Sequence, residues 1–233
     1  MALVKSKYID LSAAPWTMHE FFAGSGLVGY GLKGMFAPIW ANDISEQKAA
    51  VYTANFGDEH FLLDDIKNIN GAEIPYANMS WVSFPCQDLS NVGAFHGYNK
   101  GIDKGSDSRS SLLWQVGRIL QEMKDADKSL PRFLVMENVP TLLSGRHYSN
   151  FRNWIGDLES LGYFSKYFKL NASDFGLPQN RPRLLMLSVY YGNDEELHNN
   201  LKEYFQEINE EFIKESYSKT EYYVAGKREV KQL

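Results

Sequence analysis

Residues 19–29 read HEFFAGSGLVG, and this stretch decides the fold. A short apolar run leads into Gly24, Gly26 and Gly29, which fit the pattern G-x-G-x-x-G. Glycines so spaced after a strand are typical of the tight turn into the first helix of a nucleotide-binding α/β domain. Asp43 ends the next apolar run, where an acid accepts hydrogen bonds from ribose hydroxyls. The pattern indicates an adenosine-containing cofactor without choosing between a dinucleotide and S-adenosylmethionine, and ordinary turn glycines are the alternative.

The rest of the chain alternates short apolar runs with longer amphipathic ones, which predicts strands alternating with helices. Such a pattern favours an α/β fold, a doubly wound and mostly parallel sheet that binds ligands at the carboxyl ends of its strands. We therefore expect Gly24, Asp43, Asp65, Cys86 and Glu137 to share one edge. The predicted strands are 19–22, 37–41, 61–63, 79–84, 133–136, 163–170 and 184–190, and the predicted helices are 27–33, 46–55, 110–123 and 148–161.

Composition narrows the class of protein. The 233 residues are 44% hydrophobic and 14% aromatic, which excludes a disordered chain. A single cysteine, Cys86, excludes an intramolecular disulfide framework and a cysteine-rich metal site, and we expect no metal. No run of 18 apolar residues and no signal peptide is evident, so a soluble, cytoplasmic protein is expected, without a membrane partner.

The net charge of −5 has a local origin. Residues 194–215 carry eight acidic side chains against two lysines, and their apolar residues from Leu197 to Phe212 have helical spacing. We divide the chain into a catalytic and cofactor-binding domain at 1–193 and an acidic amphipathic helical tail at 194–233. The tail is predicted to pack on its own domain, and docking of a partner is the alternative.

Cys86 follows Pro85 at the end of the fourth predicted strand. A thiolate is a strong nucleophile, and a turn that leads towards a helix favours its ionised form. A free cysteine is also a common buried apolar residue, so Cys86 alone does not establish catalysis.

Two further polar groups flank strands. Glu137 and Asn138 end the fifth strand, where an acid near a cysteine can protonate a ring nitrogen, although a helix-capping acid is the alternative. Gln179, Arg181 and Arg183 precede the last strand, and arginines two apart on an extended segment face the same way. They suit a carboxylate, a phosphate or an exocyclic oxygen, and a surface salt bridge is equally compatible.

These motifs together resemble the C5-cytosine DNA methyltransferases of bacterial restriction–modification systems, in the family's order, over residues 18–190. Residues 22–26 (FAGSG) resemble the cofactor loop, 85–87 (PCQ) the nucleophile motif, 137–139 (ENV) the acid motif and 179–183 (QNRPR) the arginine motif. Asp107, Ser108 and Arg109, followed by Leu112, are similar to the segment in which a leucine touches the cofactor.

The resemblance implies a Rossmann-like methyltransferase fold and transfer of a methyl group from S-adenosylmethionine to C5 of a flipped-out cytosine in double-stranded DNA. It implies that Cys86 attacks C6, that Glu137 protonates or hydrogen-bonds N3, that Arg181 lies near O2, and that S-adenosylhomocysteine is the product. Residues 90–105 would form a mobile loop that closes on the DNA. The catalytic set also includes Asn138, Arg183 and Gln179, and the implied cofactor contacts are Phe22, Gly24, Gly26, Asp43, Ile44, Asp65, Ile66 and Leu112.

Two departures from the family pattern matter. Asp43 stands where the family usually has glutamate. After Tyr190 the family continues with a target-recognition domain and a final helix that packs on the first helix, whereas only about 40 residues, with a net acidic composition, follow here. We therefore predict the catalytic subunit of a split enzyme, whose second polypeptide carries the missing parts. A piece of a longer enzyme with the same chemistry is the alternative.

Three alternatives remain open. The first is a non-catalytic, methyltransferase-like DNA-binding or regulatory scaffold, and the second is a tRNA cytosine methyltransferase. The third is an NAD dehydrogenase, which rests on the glycines alone and leaves the PCQ motif unexplained.

Overall fold

A seven-stranded sheet forms the centre of the computed structural model, which describes residues 9–12, 14–85, 102, 109–218, 222–224 and 227–229. The strand order is β3-β2-β1-β4-β5-β7-β6. Strands β1 to β5 pair in parallel, whereas β7 is antiparallel to both β5 and β6. The strands are β1 (Trp16–Phe21), β2 (Phe36–Asp43), β3 (Phe61–Leu63), β4 (Met79–Val82), β5 (Phe133–Asn138), β6 (Tyr163–Asn171) and β7 (Pro182–Tyr190).

Six α-helices lie in the described part of the chain. Local sequence explains their ends: the Ser45 side chain accepts a hydrogen bond from the Lys48 N–H at the start of α2, and Gly162 ends α4 in a left-handed conformation. The helices are α1 (Leu27–Gly31), α2 (Glu46–Phe56), α3 (Leu113–Asp125), α4 (Gly145–Leu161), α5 (Glu195–Glu207) and α6 (Glu210–Ser218). A small hairpin of β8 (Tyr222–Val224) and β9 (Lys227–Glu229) follows.

One face of the sheet carries the main core. Apolar residues of α3 at helical spacing, from Leu113 to Met123, are buried together with Trp154 and Leu158 of α4. They pack against strand residues such as Val82 and Met136. Because these residues alternate with others along each strand, their neighbours point to the opposite face.

The opposite face is covered from its two edges. Tyr52 and Phe56 of α2 cover Ala41 of β2 at one edge, and Phe205 of α5 packs on Phe168 and Val189 at the other. Between them lies the register row of Trp81, Val135 and Leu187 across β4, β5 and β7, whose side chains are only half-buried. The middle of this face is therefore the least covered part of the sheet.

The structure confirms the predicted fold class, a doubly wound and mostly parallel sheet, and corrects some details. The apolar pattern of residues 197–212 predicts one helix, but the helix breaks at Ile208 and Asn209, and Asn209 accepts a hydrogen bond from the Phe212 N–H. The helix predicted over 110–123 begins as a 3-10 turn at Arg109–Leu112 and becomes α3 at Leu113. Helix α1 ends at Gly31, two residues before the predicted end.

Candidate active site

A cavity of about 290 Å³ opens at the carboxyl edge of the sheet, where the sequence predicted the site. Its walls come from three places: the loop from β1 to α1, the end of β4, and the ends of β5 and of the segment before β7. Phe22, Gly24, Trp81, Glu137 and Arg181 are among the lining residues. The cavity thus joins the predicted cofactor loop to the predicted acid and arginine.

The glycine loop has a backbone that favours glycine at two positions. Gly24 has a φ of 59° and Gly26 a φ of 82°, and Phe22 also lies in the left-handed region at 56°. A Cβ atom at Gly26 would lie 2.5 Å from the Phe56 ring, whereas a Cβ at Gly24 would meet nothing within 4 Å. Gly26 is therefore required by packing, and Gly24 borders open space.

Asp43 is tied to this loop. Its Oδ2 accepts a hydrogen bond from the Gly24 N–H at 2.9 Å, and its Oδ1 accepts one from the Ser45 N–H at 2.9 Å. The carboxylate is buried, with Lys48 Nζ 3.8 Å away. The shorter acid thus joins the ends of β1 and β2 and keeps one free lone pair on each oxygen for a hydroxyl group.

The other four predicted cofactor residues differ in how exposed they are and in what they pack against. Ile44 is 66% exposed beside Asp43, whereas Ile66 is 3% exposed and belongs to the main core. Asp65 caps the turn that follows β3 by accepting from the Lys67 N–H. Leu112 packs against the main core just before α3. None of these four lines the cavity in the described part of the chain.

The acid motif is joined to the strand that leads to Cys86. Cys86 itself lies outside the described residues, as do residues 90–101, 103–105, 107 and 108. The Asn138 Nδ2 donates to the Phe84 carbonyl oxygen at 3.0 Å, and Asn138 Oδ1 accepts from the Val139 N–H at 2.8 Å. Asn138 therefore fixes the backbone two residues before the cysteine.

Glu137 and Arg183 form an ion pair, with Arg183 Nε 2.6 Å from Glu137 Oε1, and both side chains are about one quarter exposed. Glu137 Oε2 has no hydrogen-bond partner among the described residues. Arg181 lines the cavity and is exposed, and its backbone N–H donates to Asn171 Oδ1 at 2.8 Å. Gln179 is exposed and lies outside the cavity lining. The two arginines thus differ, since one holds the acid and the other faces the cavity.

Glu20, Trp81 and Ser83 are among the cavity residues that the sequence did not single out. Glu20 is buried in β1, where its Oε1 accepts from the Gly29 N–H at 2.9 Å and its Oε2 accepts from the Tyr52 hydroxyl at 3.0 Å. Burial raises the pKa of the Glu20 carboxyl to about 7. The two hydrogen bonds lower this pKa, but their effect is smaller than that of burial. Trp81 donates from Nε1 to Ser83 Oγ at 2.7 Å, and both line the cavity. The sequence did contain a signal for Glu20, because an acidic residue within the apolar run of a predicted strand is unusual.

The site offers a carboxylate held by an arginine, a free arginine and a pocket at a glycine loop. Such a site can bind a nucleoside and stabilise charge on a heterocyclic ring. No helix among the described residues has the length and apolarity needed to cross a membrane.

The fold has counterparts among solved structures. The Schizosaccharomyces pombe Dnmt2 methyltransferase superimposes with a TM-score of 0.57 at 18% identity, covering 75% of this chain and 49% of the other. The Entamoeba histolytica methyltransferase EhMeth gives a TM-score of 0.58 at 21% identity, covering 75% and 52%. At these identities the likeness concerns the fold.

Two of the sequence relatives come from bacteria. The type II methyltransferase M2.ScrFI of Lactococcus lactis subsp. cremoris is 39% identical over 145 residues, which are 62% of this chain and 37% of the relative. The type II methyltransferase M.Bsp6I of a Bacillus species is 32% identical over 72% of this chain and 50% of the relative. The chain spans half or less of the length of these relatives. The profile of the family described as "C-5 cytosine-specific DNA methylase" matches residues 16–231, and the chain therefore belongs to the C5-cytosine DNA methylase family.

Proposed function

We propose that this chain supplies the catalytic half of a DNA cytosine-5 methyltransferase that uses S-adenosylmethionine. The observation that carries the proposal is the single cavity that Glu137, Arg181 and the glycine loop share, at the end of the strand leading to Cys86. The family membership and the type II relatives support the same chemistry.

The cavity fits the cofactor in two respects. Gly24 borders open space with no atom within 4 Å of an added Cβ, so a ligand can approach the backbone closely. Asp43 lies next to the cavity, where it accepts from the Gly24 N–H and retains lone pairs for ribose hydroxyls, and Phe22 adds an apolar wall to the cavity itself. We assign Phe22, Gly24, Gly26 and Asp43 to cofactor binding, with Ile44, Asp65, Ile66 and Leu112 around the adenine. When bound, S-adenosylmethionine supplies the methyl group.

The remaining steps belong to the chain's own residues. The Cys86 thiolate forms a bond to C6 of the cytosine, which turns C5 into an enamine-like nucleophile. Glu137, with a proton on its Oε2, donates that proton or a hydrogen bond to N3, and Arg181 stabilises the charge that develops at O2. After C5 accepts the methyl group, it gives up its proton to solvent and the released electron pair restores the C5–C6 double bond. The Cys86 thiolate leaves by β-elimination, and N3 returns its proton to Glu137. Cytosine reaches such a site only after it leaves the duplex stack.

Arg183, Asn138 and Gln179 complete the catalytic set in supporting positions. Arg183 holds Glu137 Oε1 at 2.6 Å and leaves Oε2 for the base. Asn138 fixes the Phe84 carbonyl and so the start of the loop that carries Cys86. Gln179 lies exposed at the start of the arginine segment.

We propose that recognition of the DNA sequence comes from a second polypeptide, as in a split enzyme. The half-buried row of Trp81, Val135 and Leu187 leaves room for a further element on the sheet. On the neighbouring α1, Leu27 is 78% and Tyr30 50% exposed, which extends the apolar surface. The acidic tail, with Tyr204 60% and Phe212 48% exposed, is the second candidate docking element.

The chemistry is tested by trapping. The chain is mixed with a second polypeptide that carries a target-recognition domain and the final helix, together with S-adenosylmethionine and duplex DNA carrying 5-fluorocytosine, because fluorine blocks the final elimination. We expect a protein–DNA adduct that survives denaturation and is lost in Cys86→Ser. Binding of the duplex without any adduct would show a non-catalytic scaffold, and adduct formation with tRNA alone would show an RNA enzyme. Robust sequence-specific methylation by the chain alone contradicts the split arrangement.

A further inference from the structure

Glu20 and Trp81 are neighbours on the sheet face that forms the floor of the cavity. They are register partners on the parallel strands β1 and β4, so their side chains project from the same face of the sheet, side by side. Both line the cavity. A carboxylate and an indole ring therefore meet at one end of this space.

Both groups are held in place. The Glu20 oxygens accept from the Gly29 N–H and the Tyr52 hydroxyl, and that hydroxyl also lies 3.1 Å from His60 Nε2. The Trp81 ring is fixed by its hydrogen bond to Ser83 Oγ. Because neither side chain needs to reorder, the pair is organised before a ligand arrives.

The Glu20 carboxylate lacks a positive partner in the described part of the chain. The ion pairs found there do not include it, and its two hydrogen-bond donors are neutral groups. Tyr52 and His60 are the titratable groups on its buried side, and Glu137 and Arg181 lie on other walls of the cavity. A buried carboxylate is stabilised by a cation, and an indole face attracts one as well.

We propose that Glu20 and Trp81 form a subsite for a cationic group of the methyl donor, either its sulfonium or its α-ammonium. This inference rests on the proposed function, because it takes S-adenosylmethionine as the ligand. Arg181 also lines the cavity, but it directly precedes β7, which is separated from β1 and β4 by β5 in the sheet order, and its guanidinium suits the electron-rich base. The cavity is thus polarised, with the donor's charge at the β1–β4 end.

Three ligands separate the two cations. S-adenosylmethionine carries both charges, S-adenosylhomocysteine carries only the ammonium, and 5′-methylthioadenosine carries neither. Dissociation constants are measured by calorimetry at about pH 8, where Glu20 is ionised, for the full wild-type chain and for Glu20→Gln. Glutamine keeps an oxygen that accepts from the Gly29 N–H. Glu46→Gln, at an exposed position on α2, makes the same change in charge and is the control.

If the sulfonium occupies the subsite, Glu20→Gln weakens binding of S-adenosylmethionine about tenfold and of S-adenosylhomocysteine less than about twofold. If the ammonium occupies it, both ligands weaken about tenfold and 5′-methylthioadenosine is unaffected. Equal effects on all three ligands, or no effect, overturn the proposal. Failure of the wild-type chain to bind any of the three, when the second polypeptide is also present, contradicts the proposed function itself.

Trp81 is tested separately. Trp81→Phe keeps an aromatic face, whereas Trp81→Leu removes it, so only the second is expected to weaken the charged ligands about fivefold. Equal affinities of the two variants overturn the role of the ring. Trp81→Met, which is also non-aromatic, replaces the leucine variant if that variant does not fold.

Discussion

Replacing Glu20 by glutamine changes how the stability of this protein depends on pH. The Glu20 carboxyl has a pKa raised from 4.5 to about 7, chiefly because it is buried. The folded protein therefore binds a proton more tightly than the unfolded chain does, and the free energy of unfolding falls as the pH rises through this window. Glutamine resembles the protonated acid and carries no such penalty.

The size of the effect follows from the two pKa values. One pKa unit corresponds to about 1.4 kcal/mol, so the full penalty for ionising Glu20 approaches ~3 kcal/mol above neutral pH. Between about pH 5.5 and pH 8, the wild-type chain is expected to lose about 2 kcal/mol relative to Glu20→Gln. Below about pH 4.5 the two proteins are expected to be equally stable.

Urea unfolding followed by circular dichroism at both pH values measures this difference. Groups such as the buried His19, whose pKa burial lowers to about 4, are present in both proteins and cancel. Glu46→Gln, the same change at an exposed position on α2, is the control. The measured quantity is the difference in the free energy of unfolding between the wild-type chain and Glu20→Gln. If this difference changes by less than about 0.5 kcal/mol between the two pH values, the argument that Glu20 is desolvated is refuted.

Three further predictions concern the scaffold. Gly26→Ala is expected to destabilise the protein by more than about 2 kcal/mol, because the added Cβ would lie 2.5 Å from the packed Phe56 ring. Gly24→Ala should cost only about 1 kcal/mol of backbone strain, since its Cβ would meet no atom within 4 Å. Equal losses of stability in thermal unfolding would contradict the packing argument. Asn138→Ala removes the hydrogen bond to the Phe84 carbonyl oxygen and is expected to cost ~1–3 kcal/mol of stability. The rate of adduct formation with 5-fluorocytosine DNA is expected to fall at least about tenfold. An unchanged rate would show that this hydrogen bond does not position the loop. Phe205→Ala should lower the free energy of unfolding in urea by ~3–5 kcal/mol, since the Phe205 ring is only 4% exposed and packs on residues of β6 and β7. A loss below about 1 kcal/mol would mean that the tail does not pack on the sheet.

Much of the fold was accessible from the sequence because its signals are local. Apolar runs ending in Gly24, Asp43 and Glu137 predicted the strands and the edge that they share. The helical spacing of α3 and the capping serine of α2 are contained in a few consecutive residues. The break at Asn209 was missed because the apolar spacing continues through it.

The cavity was predicted only in part. Glu137 and Arg181 do line it, whereas Asp43 lies beneath the glycine loop and Ile66 in the main core. The ion pair of Arg183 with Glu137 joins β7 to the end of β5. The sequence offered two arginines, Arg181 and Arg183, and nothing in their local context indicated which of them pairs with Glu137. Glu20 and Trp81 were missed because each looks like an ordinary strand residue.

By itself, the sequence determined the alternation of strands and helices, the family and the residue types available for chemistry, since these depend on neighbours along the chain. The tertiary structure decided which side chains face one another. It placed Glu20 beside Trp81 across 61 positions of sequence and left the carboxylate buried without a positive partner among the described residues. Strand register and burial set such relations, and both arise only when distant segments pack.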